Sequence, residues 1–259
     1  MSRIEKVFSR PSRKALIAYV TVGYPSVEAT LNVVPLLAAS GCDLVELGIP
    51  FSDPLADGVT IQKASFQALQ NGVTPAVCLD VARQLTQKVE VPLVFMTYYN
   101  PVLRYGHDRF CLDCARARID GLIIPDLPPD ESQELEALTQ KNGLDLIYIL
   151  APTSTDQRIR LAAGRSRGFV YLATVAGVTG ARDELPPGLG EFAARVRSAT
   201  KLPLCVGFGI SNARQAGQVA RIADGVIVGS KIIGLMSGGS SSMTSLQEFV
   251  KELRSAIDR

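Results

Sequence analysis

Apolar residues in this chain come in short unbroken runs rather than in alternation with polar ones. Eight runs stand out: "ALIAYVTV", "DLVELGI", "VPLVFMTYY", "DGLIIPDL", "LDLIYIL", "GFVYLAT", "LPLCVGFG" and "DGVIVGS". A strand covered on both faces needs apolar side chains on both, so such runs predict parallel strands packed between layers. Between and after them lie eight segments with apolar positions at helical spacing, from "SVEATLNVVPLLAASG" to "SLQEFVKELRSAI". Ser26 and the stretches "PPDES" and "TSTDQ" supply helix caps and early acids, and Gly41 and Gly143 stand where a left-handed C-cap is wanted.

Eight strands alternating with eight helices at intervals of roughly 25–35 residues predict an α/β fold of the (β/α)₈ TIM-barrel type. A doubly wound open sheet is the rival, but eight units in succession favour closure. At 259 residues the length prior leans towards two domains. No linker-like shift in composition divides the chain, so residues 1–259 are expected to form one domain with an extra N-terminal helix.

Composition narrows the picture little. Hydrophobic residues make up 47% and charged residues 20%, ordinary for a globular protein with a sizeable core. The net charge of +2 and 6% aromatic content argue for neither nucleic acid nor a membrane surface as partner. "MSRIEKVFSRPSRK" has no apolar signal core, and no apolar run approaches the roughly 20 residues of a membrane span. The expectation is cytoplasmic, and five cysteines, an odd number, suit a reducing compartment. The single histidine, His107, rules out a His-rich zinc site, and its polar turn suggests exposure. "CLDC", Cys111 to Cys114, reads as small residues on the inner face of a helix. No metal site is expected.

In a barrel, chemistry belongs to the C-terminal ends of the strands and the loops after them. "ELGIPFSDPLADG", Glu46 to Gly58, falls there on the second strand. A carboxyl inside an apolar run holds its proton to higher pH, whereas Asp57 in its Pro/Gly loop should stay ionised. Carboxyls in unlike environments supply an acid and a base. Spacing alone leaves the bland reading open, with Asp53 and Asp57 capping the next helix and Glu46 paired with a lysine. After the seventh and eighth strands come "GFGIS" and "GS", Gly207–Ser211 and Gly229–Ser230, followed by "KIIGLM" as a short helix. Glycines there let backbone N–H groups approach a phosphate. Lys231 either adds charge or points to solvent. "GVTGARDELPPG", Gly177 to Gly188, is either a lid that excludes water or an excursion with no role.

"ELGIPFSDPLADGVTIQ", "MTYYNPVLRYG", "GLIIPDLPP", "GVTGAR", "VGFGIS" and "ADGVIVGS" together resemble the tryptophan synthase α subunit family, in family order across essentially the whole chain. The resemblance implies a lyase that cleaves indole-3-glycerol phosphate by a retro-aldol step to indole and D-glyceraldehyde 3-phosphate. It implies Glu46 and Asp57 as catalytic residues and Tyr171 as an active-site tyrosine. Tyr19 would line the indole pocket, where the family usually has phenylalanine. Thr179 and Gly180 match the closing loop, and Gly180, Gly209, Gly229 and Ser230 the phosphate site. No cofactor is implied in this chain. Pyridoxal phosphate is expected in a partner β subunit, which would receive the indole within an α2β2 heterotetramer.

Val59, Ala173, Ala176 and Lys231 depart from the family's usual residues, and "ARIDG" replaces its "AGVDG"; proline is usual at position 59. The rivals are another phosphate-binding barrel, which would lack "SDPLADG", a stand-alone indole-releasing lyase, and a barrel that mainly binds and activates its partner. A metal-dependent sugar-phosphate epimerase is disfavoured by the lack of histidine ligands.

Overall fold

The computed structural model describes residues 1–10, 13–173, 185–207, 209–237 and 240–258. Nine parallel strand segments form one sheet: β1 (Ala15–Thr21), β2 (Leu44–Gly48), β3 (Leu93–Met96), β4 (Gly121–Ile123), β5 (Asp145–Ile147), β6 (Ile149–Leu150), β7 (Val170–Ala173), β8 (Leu204–Gly207) and β9 (Gly225–Val228). Their order is β5-β4-β3-β2-β1-β9-β8-β7-β6. The two ends of that order are separated only by Tyr148, so β5 and β6 are halves of one stave and the sheet curls into an eight-staved barrel. This is the predicted (β/α)₈ fold.

The unbroken apolar runs follow from the two cores. Alternate residues point inward, where Ile17, Leu44, Val94, Ile147, Phe169 and Ile227 fill the barrel. Their neighbours, such as Ala18, Val45, Phe95, Leu146, Val170 and Val226, point outward beneath the helices. The N-terminal helix, Arg3–Phe8, closes the floor. Its Ile4 is fully buried in the inner core, and a Cβ at Gly168 would lie 2.8 Å from Ile4 Cγ2.

The floor repeats one device. Asp43, Asp120 and Asp224 each stand just before a strand and accept the backbone N–H of the preceding stave, from Leu16 at 3.0 Å, Leu93 at 2.9 Å and Leu204 at 2.9 Å. Ser166 does the same for Tyr148 at 3.0 Å. Each aspartate is also paired with cations. Arg13 and Arg254 reach Asp43 at 2.9 and 2.8 Å, Arg3 reaches Asp120 at 2.8 Å, and Arg197 and Lys14 hold Asp224.

Three helices depart from the sequence reading. Val59–Gln70 and Tyr99–Tyr105 were not expected, and the last helix runs Ser240–Ile257, starting earlier than expected. Val59–Gln70 has only Ala64, Ser65 and Ala68 buried, so its apolar signal is weak. The Asn71 side chain donates to the carbonyls of Gly23 and Pro25, so this helix lies across the barrel top between the loops after β2 and β1. Ser26 and Thr155 cap their helices as expected, and Gly41 and Gly143 adopt φ of +111° and +71°. Ser132 of "PPDES" makes no capping bond; its hydroxyl bonds the Pro129 carbonyl and Glu136 instead. No helix among the described residues is long and apolar enough to cross a membrane.

Candidate active site

The alternation that points Leu44 into the barrel also points Glu46 inward, one layer nearer the top. Glu46 is fully buried and lies in register with Tyr19 on β1. Among the described residues its two carboxylate oxygens have no hydrogen-bond partner. Burial pushes its pKa up to about 8. The lysine partner of the bland reading is absent from the described surroundings.

Asp57 does not cap the following helix. The N-cap is Gly58, with no side-chain cap bond, while the Asp57 carbonyl accepts Gln62 Nε2 at 2.9 Å. Burial raises the Asp57 carboxyl to about 6, and a hydrogen bond from Tyr98 works against that rise. The loop is therefore less wet than its prolines and glycines suggest, yet at pH 7 Asp57 remains mostly ionised, as expected. Asp53 is exposed, and its carboxylate accepts from Ser52 Oγ.

Tyr19 and Tyr171 are seated alike. Each reaches along its neighbouring strand to a glycine: a Cβ at Gly48 would lie 2.1 Å from the Tyr19 hydroxyl, and one at Gly207 would lie 2.1 Å from the Tyr171 hydroxyl. Only a glycine leaves room for either ring. Burial holds both phenols well above their usual range.

These groups border one cavity of about 290 Å³ at the C-terminal ends of the strands. Its described lining includes Tyr19, Glu46, Asp57, Tyr171, Gly209, Gly229 and Ser230, together with Ala173. Among the described residues, no lysine or arginine lines it. Met96, Pro125 and Ile149 add apolar walls that sequence reasoning did not single out, although each sits at or just past a strand end, where the barrel rule pointed. Thr179, Gly180, Ala176 and most of Gly177–Gly188 lie outside the described residues. Ser230 opens the helix Ser230–Met236, as expected, while Lys231 is exposed and does not line the cavity.

His107 departs from expectation. Its side chain is only 10% exposed, packed 5.4 Å from the Tyr99 ring and 3.2 Å from Glu134. Cys111 and Cys114 are buried on the inner face of the helix His107–Arg116.

The family model described as tryptophan synthase alpha chain matches residues 6–258. The tryptophan synthase alpha chain of Dehalococcoides mccartyi is 55% identical over 100% of both chains. That of Geobacter sulfurreducens is 47% identical over 99% of each. Among solved structures, a Mycobacterium tuberculosis tryptophan synthase chain superposes with a TM-score of 0.93 at 41% identity, covering 100% of this chain and 99% of that one. A Legionella pneumophila tryptophan synthase subunit alpha gives 0.92 at 35%, covering 100% and 99%. End-to-end identity of this order, on a shared barrel whose top holds two unlike carboxyls in one cavity, has one meaning: the chain belongs to the tryptophan synthase alpha chain family.

Proposed function

We propose that this chain cleaves indole-3-glycerol phosphate to indole and D-glyceraldehyde 3-phosphate in the cavity between Glu46 and Asp57. The observation that carries the proposal is a fully buried Glu46, without a hydrogen-bond partner among the described residues, beside Asp57 in one cavity. With its pKa near 8, Glu46 holds a proton at neutral pH and delivers it to indole C3. Protonated C3 draws electrons from the ring nitrogen, and ionised Asp57 accepts the N–H and stabilises the positive charge that develops there. Glu46, now a carboxylate, removes the proton of the hydroxyl on the adjoining carbon. That oxygen becomes the aldehyde, the C–C bond electrons return to the indole, and Glu46 regains its proton.

Tyr19 and Tyr171, with Met96 and Ile149, supply apolar walls for the ring. The backbone at Gly209, Gly229 and Ser230 would take the phosphate. Thr179 and Gly180 are assigned by resemblance to the loop that closes over it.

Glu46→Gln tests the assignment. The expected result is loss of indole release by a factor of about 10²–10⁴ with substrate binding kept; near-normal turnover would reject it.

A pyridoxal-phosphate β subunit is the proposed partner in the cytoplasm, within an α2β2 assembly. No step above runs through that cofactor. The docking face we assign is the barrel top, where Leu55, Val59 and Phe66 are 93%, 61% and 63% exposed. A groove of about 820 Å³ between Phe51, Pro54, Phe66 and Leu69 accompanies them. A stand-alone lyase would use the same catalytic residues, and a β subunit that leaves turnover unchanged would favour it.

A further inference from the structure

We propose that Tyr98 is a positioning residue of this site: its hydroxyl clamps the Ala56–Asp57 segment to the end of β3 and aims its single proton at the Asp57 carboxylate. The proposal rests on the role given to Asp57 above and deepens it.

Tyr98 stands two residues past β3, is 5% exposed, and was not picked out from the sequence. Its ring packs on Phe51 with centroids 5.3 Å apart, so the phenol is held from the side. Its oxygen accepts the Ala56 backbone N–H at 3.0 Å. A phenol has one proton to give, and with the backbone N–H on its acceptor side that proton goes to Asp57.

Among the described residues the loop's other hydrogen bonds are local. The Leu55 N–H reaches the Asp53 carbonyl at 2.9 Å, the Asp57 N–H reaches Pro54 at 3.0 Å, and Gln62 reaches the Asp57 carbonyl at 2.9 Å. The Tyr98 bond spans 42 positions and ties the loop to another stave. A catalytic carboxylate displaced by about 1 Å loses most of its effect, so this tie sets geometry that matters.

The charge argument points the same way. Among the described residues, the titratable groups around Asp57 are Glu46 on β2, Tyr19 on β1, Tyr171 on β7 and Tyr98 itself, with Asp126 after β4 acting on Tyr98. All are acids, and among the described residues no cation lines the cavity. Asp57 therefore depends on hydrogen bonding to stay ionised, and burial with the Asp57 charge keeps the Tyr98 phenol protonated to donate it.

Tyr98→Phe keeps the ring on Phe51 and deletes the hydroxyl. The Asp57 carboxyl is followed by ¹³C NMR in aspartate-labelled protein, with Asp57→Asn identifying its signal. The expected result is a titration midpoint raised by about one pH unit, and an acid limb of kcat/KM moved up by the same amount. At pH 7.5 a residual loss of about five- to tenfold in kcat reports the loosened loop. An unmoved midpoint with a pH-independent drop in rate would reduce Tyr98 to packing and overturn the proposal, as would an unchanged enzyme. If the variant does not fold, 3,5-difluorotyrosine at position 98 decides: a stronger donor lowers the midpoint if the clamp exists and leaves it unmoved if not. An Asp57→Asn enzyme with full turnover would instead sink the Asp57 reading, and the NMR titration would still decide the clamp.

Discussion

Glu46 pairs chemistry with a cost in stability. Its pKa rises from 4.5 to about 8 by burial. Between those values the folded chain binds a proton that the unfolded chain has lost, so this group's contribution to stability falls as pH rises through the window. At pH 7 the penalty is at most about 3 kcal/mol. Glu46→Gln never ionises, so its stability relative to wild type should rise between pH 5 and 8, read as a growing gap in urea midpoints, while turnover is lost. A gap that stays flat with pH would mean Glu46 is already charged in the fold. On the roles proposed for them, the same two carboxyls set the rate profile. Asp57 must be ionised, above about 6, and Glu46 protonated, below about 8, so kcat/KM should peak between those pH values and fall on both sides. A rate rising steadily to pH 9 would contradict the assigned roles.

At the scale of elements, the floor aspartates hold the barrel together without touching the chemistry. Asp43 is the most enclosed, its side chain 7% exposed, against 10% for Asp120 and 33% for Asp224. Asp43→Ala strands the Leu16 N–H and leaves the Arg254 guanidinium to Asp258 and the Lys14 carbonyl, and should cost about 2–4 kcal/mol. Asp120→Ala should cost less and Asp224→Ala least. All three should keep wild-type kcat per folded molecule, because the cavity lies at the other end of the strands. Equal losses would mean that burial does not set their worth. These elements also show what a sequence can reveal. Strands covered on both faces announce themselves as unbroken apolar runs, and Glu46 was visible as an acid inside such a run at the end of the second strand. The helix Val59–Gln70 was not, because it rests on the barrel top with little of its surface buried. The helix Tyr99–Tyr105 was hidden by tyrosines that continue the run of β3. Tyr98 left no local signal at all, because the bond that matters joins it to a residue 42 positions away.

For the whole molecule, closure at one end dictates traffic at the other. Ile4 and the floor ion pairs seal the N-terminal end, so the cavity opens at the top. The helix Val59–Gln70 spans that top, pinned by Val59 beside the catalytic loop at one end and by Asn71 on the loop after β1 at the other. Its Phe66 turns away from the barrel, 63% exposed, where no fold requirement holds an aromatic ring. A partner that covers Phe66 would therefore press on the helix whose first turn follows Asp57, giving it a mechanical route to the catalytic loop. Phe66→Glu tests this with the purified chain and its β subunit. Affinity should fall at least tenfold, about 1.4 kcal/mol, because an aromatic anchor is replaced by a charge that must be desolvated. The indole release of the chain alone should stay at the wild-type level, because Phe66 does not line the cavity, whereas the increase in turnover on adding β subunit should require proportionately more of it. Unchanged affinity would move the interface off this helix, and a loss of the chain's own turnover would show that Phe66 supports the site directly.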